Sequence, residues 1–380
     1  MGPNILLDKS ALQSLSLTNG EIYKLSHHFN FVTCSVLLTE ILGDLKKGQT
    51  GTEYSIDEVR QLSQKLLGGG YHCAHHRRLI AGDLMGYGIP MTGQVPLEGG
   101  KTTTNAVGEK GVVFGPSPEN RAINRWRDGD FSEAEKELSE LWRESTRALD
   151  LEKFRRENLA RMKVHHFKNL DNLHRYIAFV TQPTATEEKR QLLRVMMDEF
   201  VIPQEGQTLV LANWGAAGYP AIDAYCPYAY YCFKVNQVFS YGVITGLITT
   251  RPSNRIDTQY FYYVPFCTVF SSRDNLHRDL ASTFLRHDQS FVHGDELKAD
   301  LKSLVQKASA LTAEERRERE FQYGSYPPFD ENSVVHRIWR KHMRPWTPGS
   351  GNRAVKMSKE EEQALLKRIS ELTESPQEPT

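Results

Sequence analysis

A short apolar run, Pro3–Leu7, ends abruptly on Asp8. It is too short for a helix and suits a buried strand. A second run of this kind, Phe31–Thr33, follows two stretches of helical spacing, Ala11–Leu17 and Glu21–Phe29. A third, Cys267–Ser271, comes only far down the chain. Strands separated by helices imply an α/β core with a parallel sheet. The distance between the second and third runs implies that this core is interrupted.

The interruption has its own character. Val36–Leu45 is helical, and Lys46–Tyr54 is polar and Gly-rich. Ser55 with Glu58 suggests a capping box opening a helix to Leu67, which Gly68-Gly69-Gly70 would end. Residues 68–120 are irregular. Ser132 with Glu135 is a second capping box, opening a charged helix to about Met162. Thr186 opens another to about Phe200, and Pro227–Leu247 is a long apolar helix that returns to the core. The reading is a discontinuous core, 1–45 and 227–310, a mostly helical insertion, 46–226, and a tail, 311–380, ending in a helix over Ser358–Glu374.

Composition limits the function. With 47 Lys plus Arg against 47 Asp plus Glu, the net charge is zero, so bulk positive charge does not hold a nucleic acid. Cys34, Cys73, Cys226, Cys232 and Cys267 are odd in number and scattered, which suggests reduced thiols and a cytoplasmic setting. The best membrane candidate, Tyr228–Ile248, contains Lys234, Asn236 and Gln237, so no membrane span is expected.

Four acids occupy special places. Asp8 follows the first strand, Glu40 lies on the helix after the second, Asp257 opens a helix over Thr258–Val264, and Asp274 follows the third strand. Ligands of parallel α/β sheets bind outside the carboxyl ends of the strands. Clustered carboxylates repel unless a cation neutralises them, and hard oxygen ligands suit Mg²⁺ or Mn²⁺. Asp8, Asp257 and Asp274 would equally serve as helix N-caps, and Glu40 as a solvated position.

The order of these segments resembles the PIN-domain nuclease family. The matching motifs are Ile-Leu-Leu-Asp8, Leu-Leu-Thr-Glu40, Arg-Ile-Asp257 and Ser272-Arg273-Asp274. The resemblance implies a three-layer α/β/α core with a central parallel sheet. It implies a metal-dependent endoribonuclease using one or two Mg²⁺ or Mn²⁺ ions held by Asp8, Glu40, Asp257 and Asp274, with Asp279 as an outer member. Its products would carry 5′-phosphate and 3′-hydroxyl ends. A DNA-directed nuclease and a non-catalytic RNA- or protein-binding module are the alternatives. An inhibitor protein or a second copy of the chain is left open as a partner.

Arg273 and the basic aromatic tail, with Arg337, Trp339, Arg340, Lys341, Arg344 and Trp346, are the candidate RNA contacts. Basic groups track phosphates while indoles stack on unpaired bases. The same tail would also serve as an amphipathic helix packing its tryptophans on the body. The cluster His72, Cys73, His75 and His76 lacks the second ligand pair of a zinc site. Gly99-Gly100-Lys101-Thr102 lacks the earlier glycine of a phosphate-binding loop, since position 95 is Val95. No Gly-x-Ser-x-Gly occurs.

Overall fold

The computed structural model describes residues 2–48, 53–66, 71–104, 110–161 and 166–347, together with 358, 360, 363, 364, 366 and 367. Among these, the strands are β1 Asn4–Leu7, β2 Asn30–Thr33, β3 Tyr71–His72, β4 Gly100–Thr104, β5 Lys110–Phe114, β6 Val269–Ser272 and β7 Ser290–His293. Five form one parallel sheet in the order β3-β2-β1-β6-β7. β4 and β5 pair antiparallel as a separate hairpin.

β1 is the central strand. Ile5 sits between Phe31 of β2 and Val269 of β6, and Leu6 between Val32 and Phe270. Ile5, Leu6 and Leu7 are fully buried, which explains the continuous apolar run of a strand covered on both faces. From β1 the chain steps outward to β2 and β3, and later from β6 to β7 on the other side. The order therefore reverses between β1 and β6. Right-handed crossovers then place successive helices on opposite faces. The contacts agree. Helices Lys9–Ser14, Glu21–His28 and Gly294–Ser309 pack together, while Pro227–Thr245 packs on His76–Leu84, Leu170–Val180 and Ser253–Gln259. The architecture is α/β with a five-stranded parallel sheet, compatible with three layers.

The boundaries differ from the sequence reading. β3 and the helix His76–Leu84 fall inside the expected insertion, yet β3 pairs with β2. The core thus takes a strand from residues 46–226. Later helices share its apolar interior through Trp126, Leu173, Ile177, Leu193, Met196 and Trp214. β7 joins β6 as an edge strand that the sequence reading had not identified.

Local differences have local causes. The capping box at Ser132 forms, with Ser132 N–H on Glu135 (2.8 Å) and Glu135 N–H on Ser132 Oγ (3.3 Å). The helix it opens stops at Ala148, because Asp150 Oδ1 accepts from Lys153 N–H (2.8 Å) and starts a new helix, Leu151–Arg161. Ser55 makes no capping hydrogen bond, and Glu58 instead lies against Lys47 (3.7 Å). Gly68-Gly69-Gly70 and most of Ser358–Glu374 lie outside the described residues. Gly100, Lys101 and Thr102 belong to the hairpin strand β4 rather than to a strand–helix turn. Among the described residues no helix is long and apolar enough to cross a membrane, and all five cysteines are free and buried.

Candidate active site

The carboxyl end of β1 delivers Asp8 and that of β6 leads to Asp274, on either side of the point where strand order reverses. In open α/β sheets this is where a ligand crevice forms. Asp8 caps the helix Lys9–Ser14, accepting from Ala11 N–H (2.8 Å) and Ser10 Oγ–H (2.7 Å). Asp274 caps the helix Asn275–Phe284 through Leu276 N–H (2.7 Å). Both acids do act as caps, and both stand at the carboxyl edge of the sheet beside the reversal of strand order.

His277, three residues into that helix, joins the segments. It is fully buried, and its Nδ1 lies 3.5 Å from Asp8 Oδ2 and 2.7 Å from Ser272 Oγ. Its Nε2 lies 2.7 Å from the Asp257 carbonyl oxygen. A carbonyl only accepts, so Nε2 carries a proton. With Asp8 beside Nδ1, the imidazolium is the favoured form. Burial opposes that charge, but the hydrogen bond and charge of Asp8, with the charge of Asp257, push the His277 pKa up to about 9. Burial also works against ionised Asp8, and His277, Ala11 N–H and Ser10 outweigh it, so Asp8 titrates below its ordinary range.

Glu40 and Asp257 are shifted in the opposite direction. Glu40 lies on the helix Ser35–Gly43, where its Oε2 accepts from the Tyr260 hydroxyl (2.5 Å). Burial pushes its pKa up to about 7; Tyr260 and Lys9 oppose this, while the charges of Asp257 and Asp8 add to it. Asp257 sits within the helix Ser253–Gln259 rather than opening one, because the helix already begins after Pro252. Its carboxylate has no hydrogen bond or ion pair among the described residues. Burial pushes its pKa up to about 6, and the charges of Asp274 and Asp8 add to this against that of His277.

The four acids therefore share one electrostatic field, but three of the carboxylates are already committed to protein partners. Among the described residues no set of three donors is arranged to hold a metal ion. Asp279 is exposed beside Arg278 (3.6 Å), and its carboxylate takes no part in the network.

Several members had no sequence signal. Lys9 Nζ pairs with buried Asp44 (2.6 Å) and donates to the Glu40 carbonyl (3.1 Å). Arg143, from the helix Glu133–Ala148, completes the pair on Asp44 (2.6 Å). Lys9 and Asp44 were readable only as neighbours of Asp8 and Glu40; Arg143 has no local cue at all.

The ionisation states predict a pH dependence. His277, Glu40 and Asp257 all bind a proton more tightly in the fold than in the unfolded chain. Stability from these groups is complete below their unfolded values and is lost as pH rises through about 6 for Asp257, about 7 for Glu40 and about 9 for His277. Asp8, shifted down, acts in the opposite sense and loses its contribution in acid. Urea midpoints are expected to fall from about pH 5 to about pH 9. A midpoint that rises over this window would contradict the assignment.

The tail lies elsewhere. Its helix, Val334–His342, buries Val335, Ile338 and Trp339. Trp339 Nε1 donates to His28 O (3.0 Å), just before β2, and Lys341 Nζ to Gln289 O (2.7 Å), just before β7. These are the amino ends of parallel strands, opposite the crevice. Trp346 stacks on Tyr323 (4.8 Å), and Arg337 pairs with Glu296 (2.8 Å). Of the candidate RNA contacts on the tail, Trp339 is a packing residue and Trp346 is half-buried, while Arg337, Arg340, Lys341 and Arg344 stand exposed on the opposite side of the sheet from the acids. Of the candidate contacts, only Arg273 borders the crevice; its N–H donates to Ser10 Oγ (3.1 Å) and its side chain pairs with Asp295 (2.7 Å). Trp339→Ala is expected to cost about 3–5 kcal/mol in urea unfolding, while the double change Arg340→Glu and Arg344→Glu leaves RNA affinity within about twofold of wild type.

The chain matches no family model, no curated protein and no solved structure.

Proposed function

We propose that this crevice hydrolyses RNA phosphodiester bonds, and that the chain is a PIN-like, three-layer α/β/α endoribonuclease requiring Mg²⁺ or Mn²⁺. One observation carries the reading: acids from four separate segments lie within one another's electrostatic field beside the point where the strand order reverses. Carboxylate oxygen is the donor type a hard divalent ion takes, and with no three donors converging among the described residues the side chains would have to turn toward the ion to bind it. Asp257 offers an uncommitted carboxylate in a field of like charge, which a cation would relieve. Asp257 and Asp274 would hold the ion, with Asp8 and Glu40 around it. Such an ion, when bound, lowers the pKa of a water and offsets charge growing on the phosphoryl group.

The remaining roles belong to the chain. His277 keeps Asp8 ionised and fixes its orientation. Tyr260 holds Glu40 through one oxygen and accepts from Lys9 N–H (3.2 Å), tying the Glu40 side chain to the end of β1. Arg273 is an exposed cation whose backbone N–H already bonds Ser10, placed to meet a phosphate if its side chain leaves Asp295.

A second reading has a specific observation behind it. Asp8, Glu40 and Asp274 are satisfied by His277, Tyr260 and Leu276 N–H. That favours a non-catalytic module that binds RNA or protein. The two are separated by incubating end-labelled single-stranded RNA with the protein and Mg²⁺ or Mn²⁺. The nuclease reading expects cleavage to 5′-phosphate and 3′-hydroxyl ends that EDTA abolishes. Binding without cleavage would support the module.

A further inference from the structure

Away from the carboxylates, a cavity of about 160 Å³ opens among the helices Leu170–Val180, Pro227–Thr245 and Asn275–Phe284. Its walls include Lys234, Arg286, His174, Tyr231, Phe284 and Gln289. No carboxylate lines it among the described residues. Lys234 has no hydrogen-bond or ion-pair partner there; its ammonium stands 4.9 Å from the centre of the Tyr230 ring. Burial lowers the Lys234 pKa. Burial first, and then the Lys234 charge, hold His174 below its ordinary value. Arg286 is held by Asp288 (2.9 Å) and by the Pro265 carbonyl (3.3 Å), which fixes its guanidinium at the wall.

The remaining walls are aromatic. Phe284 meets the Tyr231 ring edge-to-face at 5.9 Å and the His174 ring at 5.1 Å. The Arg286 charge is already offset by Asp288, so the unpaired charge is that of Lys234; such a desolvated ammonium attracts an anion and is costly until one arrives. The volume decides the size of the ligand: a cavity of roughly 150 Å³ holds one benzene ring, so a single ring with a small head group fits and a dinucleotide does not.

We propose that this cavity binds a small aromatic oxyanion, with its carboxylate or phosphate on Lys234 and Arg286 and its ring against Tyr231, Phe284 and His174. The site is independent of the carboxylate crevice and of the reaction proposed there.

The test uses the full chain with benzoate, phenyl phosphate, inorganic phosphate and neutral benzyl alcohol, read by ligand-observed NMR and by the rise in Tm with concentration. Benzoate or phenyl phosphate is expected to bind more tightly than inorganic phosphate, and benzyl alcohol not measurably. Lys234→Met is expected to weaken the aromatic anion at least tenfold; Arg286→Lys supplies a second variant with the charge kept. Failure of both aromatic anions to bind, equal binding by benzyl alcohol, or unchanged affinity in both variants would overturn the proposal.

Discussion

Replacing His277 by Ala is expected to lower the unfolding free energy by about 3–5 kcal/mol, the loss typical when one partner of a buried ion pair is removed. The imidazole is fully buried, and it serves Asp8, Ser272 and the Asp257 carbonyl together. Its removal leaves a buried carboxylate without its cation and a carbonyl without its donor. The cost is expected to be greatest in mild acid, below the ordinary histidine value of 6.5, and to shrink as pH rises through about 9, where the wild-type imidazolium is itself discharged. Urea unfolding of both proteins at two pH values reads this directly. A loss under about 1 kcal/mol, the worth of one ordinary hydrogen bond, would remove His277 from its place at the centre of the network.

Asp257→Asn is expected to act in two directions at once. Its carboxylate is half-buried, unpartnered and repelled by Asp274 and Asp8, so the neutral amide is the better tenant of the site. Stability is expected to rise by about 0.5–2 kcal/mol, as when an active-site residue is exchanged for a stabilising one. RNA cleavage is expected to fall at least ~100-fold, the scale of losing one electrostatic contributor to a transition state. A structural acid would give the opposite pairing, with stability lost and cleavage retained. Thermal denaturation and single-turnover cleavage on the same preparation separate the two.

How much of this was legible in the sequence depends on how strongly each segment is constrained by its neighbours in the chain. β1 and β6 were legible because central parallel strands must be apolar on both faces, and Ile5–Leu7 and Val269–Phe270 are. The two residues of β3 carry no period, so its pairing with β2 and the true extent of the core could not be read. Asp8, Glu40 and Asp274 stand where the motifs placed them. Asp257 shares their electrostatic field, but from mid-helix, because the helix already begins at Ser253. The tail was ambiguous for a physical reason. An amphipathic helix with buried indoles and exposed cations has the same composition as a stacking platform for RNA, and only the burial of Trp339 distinguishes them. His277 and Arg143 were invisible because their partners are brought to them by tertiary packing.

The most direct test of the central claim is cleavage of single-stranded RNA in Mn²⁺ by wild type and by Asp8→Asn, Glu40→Gln, Asp257→Asn and Asp274→Asn, purified in parallel. Wild type is expected to cleave, and each change to cost at least ~100-fold. Cleavage by all four variants at the wild-type rate, or none by the wild type, would contradict it.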